Sequence, residues 1–216
     1  MRISYAITVA DEVVEFTRLI EFLKEHVKSE EDEIVILVDQ GKASEAIYKV
    51  LNTLTLESGF PINTTIRVEK FGGDFADWKN KLNSICIGDW IFQLDADEVP
   101  SEALVDNLHQ ILETTTAEAI AVPRKNIVEG ITTQDIQEWG WIVRPEGINW
   151  PDYQWRLYRN DTGIRWVGKV HEVIRGYKVY AYMPSNQTVY QLNHFKNIEK
   201  QRTQNRFYKE LMHDRF

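Results

Sequence analysis

Three short apolar runs each stop at carboxylates: Ile3 to Val9 at Asp11-Glu12, Glu33 to Val38 at Asp39, and Trp90 to Leu94 at Asp95-Ala96-Asp97-Glu98. Runs this short, rich in β-branched and aromatic residues, read as buried strands. Around them apolar residues recur at helical spacing: Val13, Phe16, Ile20 and Leu23 after the first run, Ser44 to Leu51 after the second, and Trp78, Leu82 and Ile85 within Phe75 to Ile87. A further strand fits Thr64 to Val68, and Phe71-Gly72-Gly73-Asp74 reads as a turn. Strands alternating with helices predict an α/β chain built on a mostly parallel central sheet with right-handed crossovers.

In such a sheet ligands bind where the carboxyl ends of the strands open onto the crevice between crossovers. Asp11, Asp39 and Asp95 are expected to line that edge, as a groove holding a base, a ribose and phosphates would require. Asp95, Asp97 and Glu98 repel one another unless a hard cation neutralises them, and oxygen ligands of this kind suit Mg²⁺ or Mn²⁺ carrying substrate phosphates. The competing reading is a solvated loop whose acids cap a helix beginning near Ser101, since Pro100 and Ser101-Glu102 make a good helix start.

The formal charge of −8 over 216 residues argues against nucleic acid as a partner and leaves a small, metal-bridged anion as the expected ligand. The single cysteine, Cys86, excludes an intrachain disulfide and a Cys-rich zinc site. The first apolar run lacks the basic flank and cleavage pattern of a leader, and no run reaches the ~18 residues of a membrane helix. A cytoplasmic protein is expected.

Beyond a helix at Glu102 to Leu112 and a strand at Ala119 to Val122, the pattern changes. Residues 124–155 are rich in Trp, Gly and Pro with weak periodicity, which reads as an irregular lobe or lid. Short strands are expected at Arg156 to Arg159, Gly163 to Val167, Val170 to Arg175, Tyr177 to Tyr182 and Thr188 to Leu192. From Lys196 a basic amphipathic helix follows, which packs on its own domain or docks on the inner face of an anionic membrane. The expected organisation is one compact domain: a nucleotide-binding half at 1–122, an acceptor-side lobe at 123–195 and the terminal helix at 196–216.

Leu37-Val38-Asp39-Gln40-Gly41, Asp77-Trp78-Lys79-Asn80 and Gly88 through Glu98 are followed by Gln154-Trp155-Arg156-Leu157-Tyr158-Arg159-Asn160 and Val170-His171-Glu172. In this order they resemble the family 2 glycosyltransferases of the GT-A fold, in the bacterial and phage branch associated with lipopolysaccharide or cell-surface glycans. The resemblance spans Ile3 to about His194. It implies a Rossmann-like sheet flanked by helices with a small β-rich acceptor lobe, a nucleotide-diphospho-sugar donor of UDP or GDP type, and a hydroxyl acceptor on a glycan or lipid-linked glycan. Ala10, Asp11 and Asp39 match positions that hold base and ribose, Lys79 and Asn80 the pair beside the nucleotide, Asp95 a ribose or metal-water contact, and Asp97 the metal ligand. The chain departs from the family at Asp11-Glu12, where Asn-Glu is usual, and at Lys42-Ala43-Ser44, where Ser-Thr-Asp is usual.

Breaking an anomeric bond to a diphosphate is favoured when a fixed cation meets the developing charge, the task expected of a metal on Asp95 and Asp97. Arg156, Arg159, Lys169 or Arg175 add charge-assisted contacts, or else sit on the surface with carboxylate partners. The acceptor hydroxyl needs a base. Glu172 is the first choice and Asp152 the second, with His171 as a metal or phosphate contact and His194 as a nitrogen ligand to the metal. Were Val170 to Arg175 a strand, His171 and Glu172 would point to opposite faces. The Trp-rich lobe, with Trp139, Trp141, Trp150, Trp155 and Trp166, either faces an acceptor sugar or lipid or fills a small core. Two other classes compete. A nucleotidyltransferase wants a Gly-rich phosphate loop, but Tyr5 to Glu12 has no glycine. A non-enzymatic glycan- or Ca²⁺-binding module would use the same acids and tryptophans, although Pro100 stands where a helix-loop-helix calcium site needs glycine.

Overall fold

Alternation along the first strand sends Ile3, Tyr5, Ile7 and Val9 into one core, while Ser4, Ala6 and Thr8 face the other way. The computed structural model describes residues 1–56, 63–186, 189–199 and 201–203. In chain order its elements are β1 (Ile3–Val9), α1 (Val13–His26), β2 (Glu33–Asp39), α2 (Glu45–Leu56), β3 (Asn63–Glu69), α3 (Phe75–Asn83), β4 (Trp90–Asp95), β5 (Glu98–Pro100) and α4 (Glu102–Thr114). There follow β6 (Ala119–Glu129), α5 (Thr133–Trp139), β7 (Val143–Arg144), β8 (Gly147–Arg159), β9 (Arg165–Val167), β10 (Val173–Arg175), β11 (Tyr180–Tyr182) and β12 (Leu192–Asn197).

The main sheet runs β3-β2-β1-β4-β8-β6-β12-β5. Its first four strands are parallel, as the alternation of strand and helix requires; β8 then enters antiparallel to β4 and β6. One face packs under α1, α2 and α4 through Phe16, Leu19, Ile47, Leu104 and Leu108 against Tyr5, Ile36, Trp90 and Phe92. The other face carries Ala6, Val35, Leu37 and Ile91 against Trp78 and Leu82 of α3 and Trp166 and Ile174 of the separate β9–β10 hairpin. Period-two alternation along β4 puts Gln93 and Asp95 on this second face, the one that carries the cleft described below.

The expected α/β architecture with a mostly parallel sheet flanked by helices is observed. Differences lie in the second half. The irregular stretch expected from residue 124 is largely a long antiparallel pairing of β6 with β8, whose periodicity is broken by register shifts between Ile120 and Ala121 and between Arg124 and Asn126. Pro123 reads as a strand end but lies within β6. The outer neighbour of that strand changes there, from β11 beside Ala119 to Ala121 to β12 beside Arg124 to Glu129, so a residue without an N–H is tolerated. The expected strand at Thr188 to Leu192 is displaced to Leu192–Asn197, which absorbs Lys196 and the start of the expected terminal helix. Residues 198–199 and 201–203 are helical, and the rest of that expectation lies outside the described residues. Among the described residues no helix is long and apolar enough to cross a membrane.

Gly88 lets the chain enter β4 against β1. A Cβ there would lie 2.6 Å from Ser4 Oγ and 2.7 Å from the Ser4 amide nitrogen, and the Gly88 amide donates to that same hydroxyl. Gly88→Ala should therefore lower stability by about 1–3 kcal/mol in urea denaturation. Gly72→Ala, with nothing within 4 Å of its Cβ, should be near neutral.

Candidate active site

Adjacent parallel strands bring their carboxyl ends to one edge: Thr8 is level with Asp95, and Val9 with Val38. Asp39 is buried there, and its Oδ1 accepts from the amides of Gly41 (2.9 Å) and Phe71 (3.2 Å), fixing the loops after β2 and β3. Ala10 and Asp11 form the turn after β1, where both amides donate to the Glu12 carboxylate. Burial pushes the Glu12 carboxyl above its ordinary value, and Asp11 and Asp97 push the same way against those amide bonds.

The acids after β4 divide by role. Glu98 is the first residue of β5, opposite His194 of β12, and is fully buried. Its carboxylate accepts from Arg156 Nε and Nη2, both at 2.8 Å, and from Arg124 Nη1 at 3.0 Å. The competing reading of a solvated acid near a helix cap fails for Glu98; Ser101 caps α4 instead. Arg156 Nη2 also donates to Asp95 Oδ2 at 2.6 Å, while Asp95 Oδ1 accepts from Gln93 and Thr8. Burial alone would raise the Asp95 carboxyl, but Arg156, Lys79 and Arg124 outweigh it and hold the group well below the usual range. Arg156 is the extra residue of a β-bulge, since Ile120 pairs with Leu157 and Ala121 with Trp155. Bulges re-aim side chains in this way beside functional sites.

Arg124 continues the network outward. Its Nη2 and Nε hold Asp152 Oδ2 at 2.6 and 2.9 Å, and Asn126 Nδ2 donates to the same oxygen. Burial opposes ionisation of Asp152, yet Arg124, Asn126 and Gln154 together lower its pKa. With Nδ2 so committed, Asn126 Oδ1 faces His194 Nδ1 at 2.8 Å and accepts its proton. His194 Nε2 lies 3.1 Å from Asp97 Oδ2. A nitrogen so placed against a carboxylate is either protonated or bound, together with it, to a cation. This arrangement, a carboxamide fixing the imidazole tautomer from behind, is what a histidine metal ligand needs. Lys196, on the same face of β12, feels Arg124, Asp97, Asp152 and Glu98; burial, the largest effect, pulls its ammonium below the ordinary value.

On the inner side lies a cleft of about 170 Å³ lined by Lys79, Asp95, Arg124, Tyr153, Gln154, Trp155, Arg156, Trp166 and Glu172. Lys79 sits over the Trp166 ring, 4.3 Å from its centroid, and pairs with Glu172 at 2.6 Å. Glu172 and His171 occupy the tight turn between β9 and β10, not a strand, and His171 has φ 55°. The turn is held to α3 by the Phe75 amide on the Lys169 carbonyl. Asn80 exchanges two hydrogen bonds with the Trp166 backbone, at 2.8 and 2.9 Å, so its side-chain amide secures the hairpin and does not line the cleft. Of the four cations expected near phosphate, Arg156 lines the cleft; Arg159 stacks on Trp90, while Lys169 and Arg175 are exposed.

Asp97 and His194 are therefore brought together, whereas Asp95 is engaged by Arg156. Among the described residues no group of three or more His, Cys, Asp or Glu could hold one ion. A two-ligand site suits Mg²⁺ or Mn²⁺ when substrate phosphates and water supply the remaining oxygens. Sequence reasoning missed Arg124 and Asn126 and gave Gln154 no role, although it opens the Gln154 to Asn160 run. Arg124 follows the apolar Ala119 to Pro123 run beside a second cation, Lys125, so only the pairing of β6 with β8 singles out Arg124 and Asn126.

No protein-family model and no curated protein sequence matches the chain. Solved structures do. S. aureus TarS 1-349 in complex with UDP-GlcNAc superposes with a TM-score of 0.65 at 12% identity, over 91% of this chain and 59% of that one. The same TarS segment in complex with UDP gives 0.63 at 12% identity over 91% and 61%, and TarS 1-349 described without a ligand gives 0.62 at 12% over 90% and 60%. The likeness establishes the fold, an α/β architecture with a mostly parallel central sheet flanked by helices, and this chain spans about three-fifths of the length of those structures.

Removing Glu98 leaves the buried guanidinium of Arg156 and the half-buried one of Arg124 short of charge, so Glu98→Ala should cost about 3–5 kcal/mol in urea denaturation. A loss below about 1 kcal/mol would mean the pairs behave as surface bridges. Because Asp95 and Asp152 have folded pKa values below their unfolded ones, their contribution is complete above about pH 4 and is lost as pH falls through the folded values. Asp152→Asn should accordingly flatten the fall in stability below pH 4, measured by denaturation at stepped pH.

Proposed function

We propose that the chain is a metal-dependent family 2 glycosyltransferase of the cell-surface glycan branch, moving a sugar with inversion from a UDP- or GDP-linked donor to a hydroxyl acceptor. The observation that carries this reading is the His194–Asp97 pair, its tautomer fixed by Asn126, at the carboxyl edge of a sheet whose fold matches proteins solved with UDP-GlcNAc and UDP. Asp97 and His194 would hold Mn²⁺ or Mg²⁺, which would supply positive charge for the diphosphate leaving group. Asp39, Ala10 and Asp11 line the base and ribose end. Arg156 keeps Asp95 ionised and orients it toward the donor, and Lys79 sits beside the phosphates and sugar. In the transfer the anomeric C–O bond to phosphate breaks with its electron pair leaving on the diphosphate, and the acceptor oxygen bonds the anomeric carbon from the opposite side.

Glu172 takes the acceptor proton. It lines the cleft, where Lys79 at 2.6 Å holds its carboxylate in place. Asp152 suits the role less well, because its carboxylate is held by Arg124, Asn126 and Gln154 and is not among the groups lining the cleft. His171, exposed in the turn beside Glu172, is not among the residues lining the cleft, so its expected contact with metal or phosphate has no support there. The reading as a purely glycan- or Ca²⁺-binding module accounts for neither the fixed imidazole tautomer nor the two arginines held by Glu98.

With two protein ligands among the described residues, metal and nucleoside diphosphate should bind as a coupled pair. Calorimetry should show Mn²⁺ tightening UDP or GDP binding at least about tenfold, a coupling of about 1.4 kcal/mol. Asp97→Ala and His194→Ala should each abolish that tightening while leaving the unfolding free energy in urea within about 1 kcal/mol of wild type. Metal-independent nucleotide binding in the wild type would reject the metal assignment. Glu172→Gln should retain donor binding and lower turnover by about 10²–10⁴-fold in a released-UDP or released-GDP assay; near-normal turnover would move the base elsewhere.

A further inference from the structure

Beside the cleft the sheet carries a wall of aromatic rings. Directly paired residues on neighbouring strands share a face. Tyr182 of β11, Ala121 of β6 and Trp155 of β8 therefore lie in one row, with Tyr180, Ala119 and Tyr158 in the next and Pro123 and Tyr153 beyond. The small residues on the middle strand let rings from the outer strands meet across it. Trp155 is the hub, its centroid 5.2 Å from Tyr177, 5.8 Å from Tyr180 and 5.6 Å from Tyr182, and Tyr182 lies 4.9 Å from Tyr153. Tyr153 is fixed by its hydroxyl, which donates to the Met183 carbonyl at 3.0 Å. Yet Tyr180 and Tyr182 are 55% and 54% exposed, on a short strand bonded along one side only, to β6.

Packing explains Trp155 but not two half-exposed tyrosines side by side. Rings held by neighbours and open to water form a surface already ordered, so a ligand that covers it pays little further side-chain entropy. Two of the rings, Tyr153 and Trp155, also line the cleft. The wall thus begins where an acceptor hydroxyl has to be presented and runs outward from there. A pyranose matches it chemically: its C–H face packs on an aromatic face, and its rim hydroxyls meet the phenol oxygens. The ring spacing is on the scale of one sugar residue to the next.

The geometry points to this wall as the subsite for the acceptor's carbohydrate chain, with sugars beyond the reacting one lying along Trp155, Tyr182 and Tyr180. The assignment rests on the glycosyl-transfer reading for its direction, and commits to a saccharide as occupant in preference to a protein strand on the β11 edge or a second copy of the chain.

The test uses the full chain and the double variant Tyr180→Ala/Tyr182→Ala, which truncates two exposed side chains and leaves the buried rings in place. Both proteins are applied to a printed array of neutral and anionic oligosaccharides, the strongest hits are titrated by tryptophan fluorescence, and UDP and GDP binding is measured in parallel. The wild type should bind oligosaccharides more tightly than the corresponding monosaccharides. The double variant should bind them about tenfold or more weakly, the loss of two ring contacts, with nucleotide affinity and melting temperature unchanged. No array binding by the wild type, or full binding by the variant, would overturn the subsite. So would a change in sedimentation coefficient without a change in saccharide binding, which would make the wall a contact between copies. Failure of the wild type to bind nucleotide is a separate result: it would defeat the transfer reading, while saccharide binding lost in the double variant would still uphold the wall.

Discussion

The site depends on one buried carboxylate. Glu98 has no solvent exposure and holds two guanidiniums, Arg156 and Arg124, which in turn hold Asp95 and Asp152. A charge so placed is costly unless each lone pair is met, and here the two arginines meet it with charge-assisted bonds. From Asp152 the network passes through Asn126 to His194 and Asp97, so that β4, β5, β6, β8 and β12 are tied by side chains as well as by ladders. The arrangement fixes side chains from five strands relative to one another before any ligand arrives, as preorganised electrostatic sites require.

The charge balance of this network has a functional consequence. Four carboxylates, Asp95, Asp97, Glu98 and Asp152, face two guanidiniums, with Lys196 close enough to feel the same acids. The surplus negative charge gathers at the Asp97 end, beside His194, while the Arg156 end is neutralised. On the transfer reading, the Asp97 end is therefore the one that suits a divalent ion carrying the diphosphate. The inner cleft adds Lys79, steadied by Trp166 and Glu172, and the aromatic wall continues from the same cleft.

Much of the first half was legible from its pattern. Continuous apolar runs can be buried only between two helical layers, and the strand ends then converge by topology alone, which placed Asp39, Asp95 and Asp97 on one edge. The acceptor half was not legible for a physical reason. The Arg156 bulge and the second register shift break the period of two, and Pro123 mimics a strand end although β6 merely changes neighbours there. His171 and Glu172 look like strand residues because Val, His, Glu, Val and Ile are compatible with one; the hydrogen bonds from α3 to the hairpin set the turn instead.

Sequence by itself determined the α/β class, the order of strands and helices up to β4 and the helix that follows, and the clustering of acids at the end of β4, because period and composition act locally; the short β5 between β4 and α4 was not expected. Tertiary structure alone decided which acid did what. Glu98 became structural because β5 turns it into the path of two arginines more than twenty residues away in sequence. Asp97 stayed available because His194, almost a hundred residues on, meets it with a ring nitrogen whose partner is already committed to Asn126. Contacts at that separation leave no periodic trace, since they depend on how two strands register and not on what either strand contains.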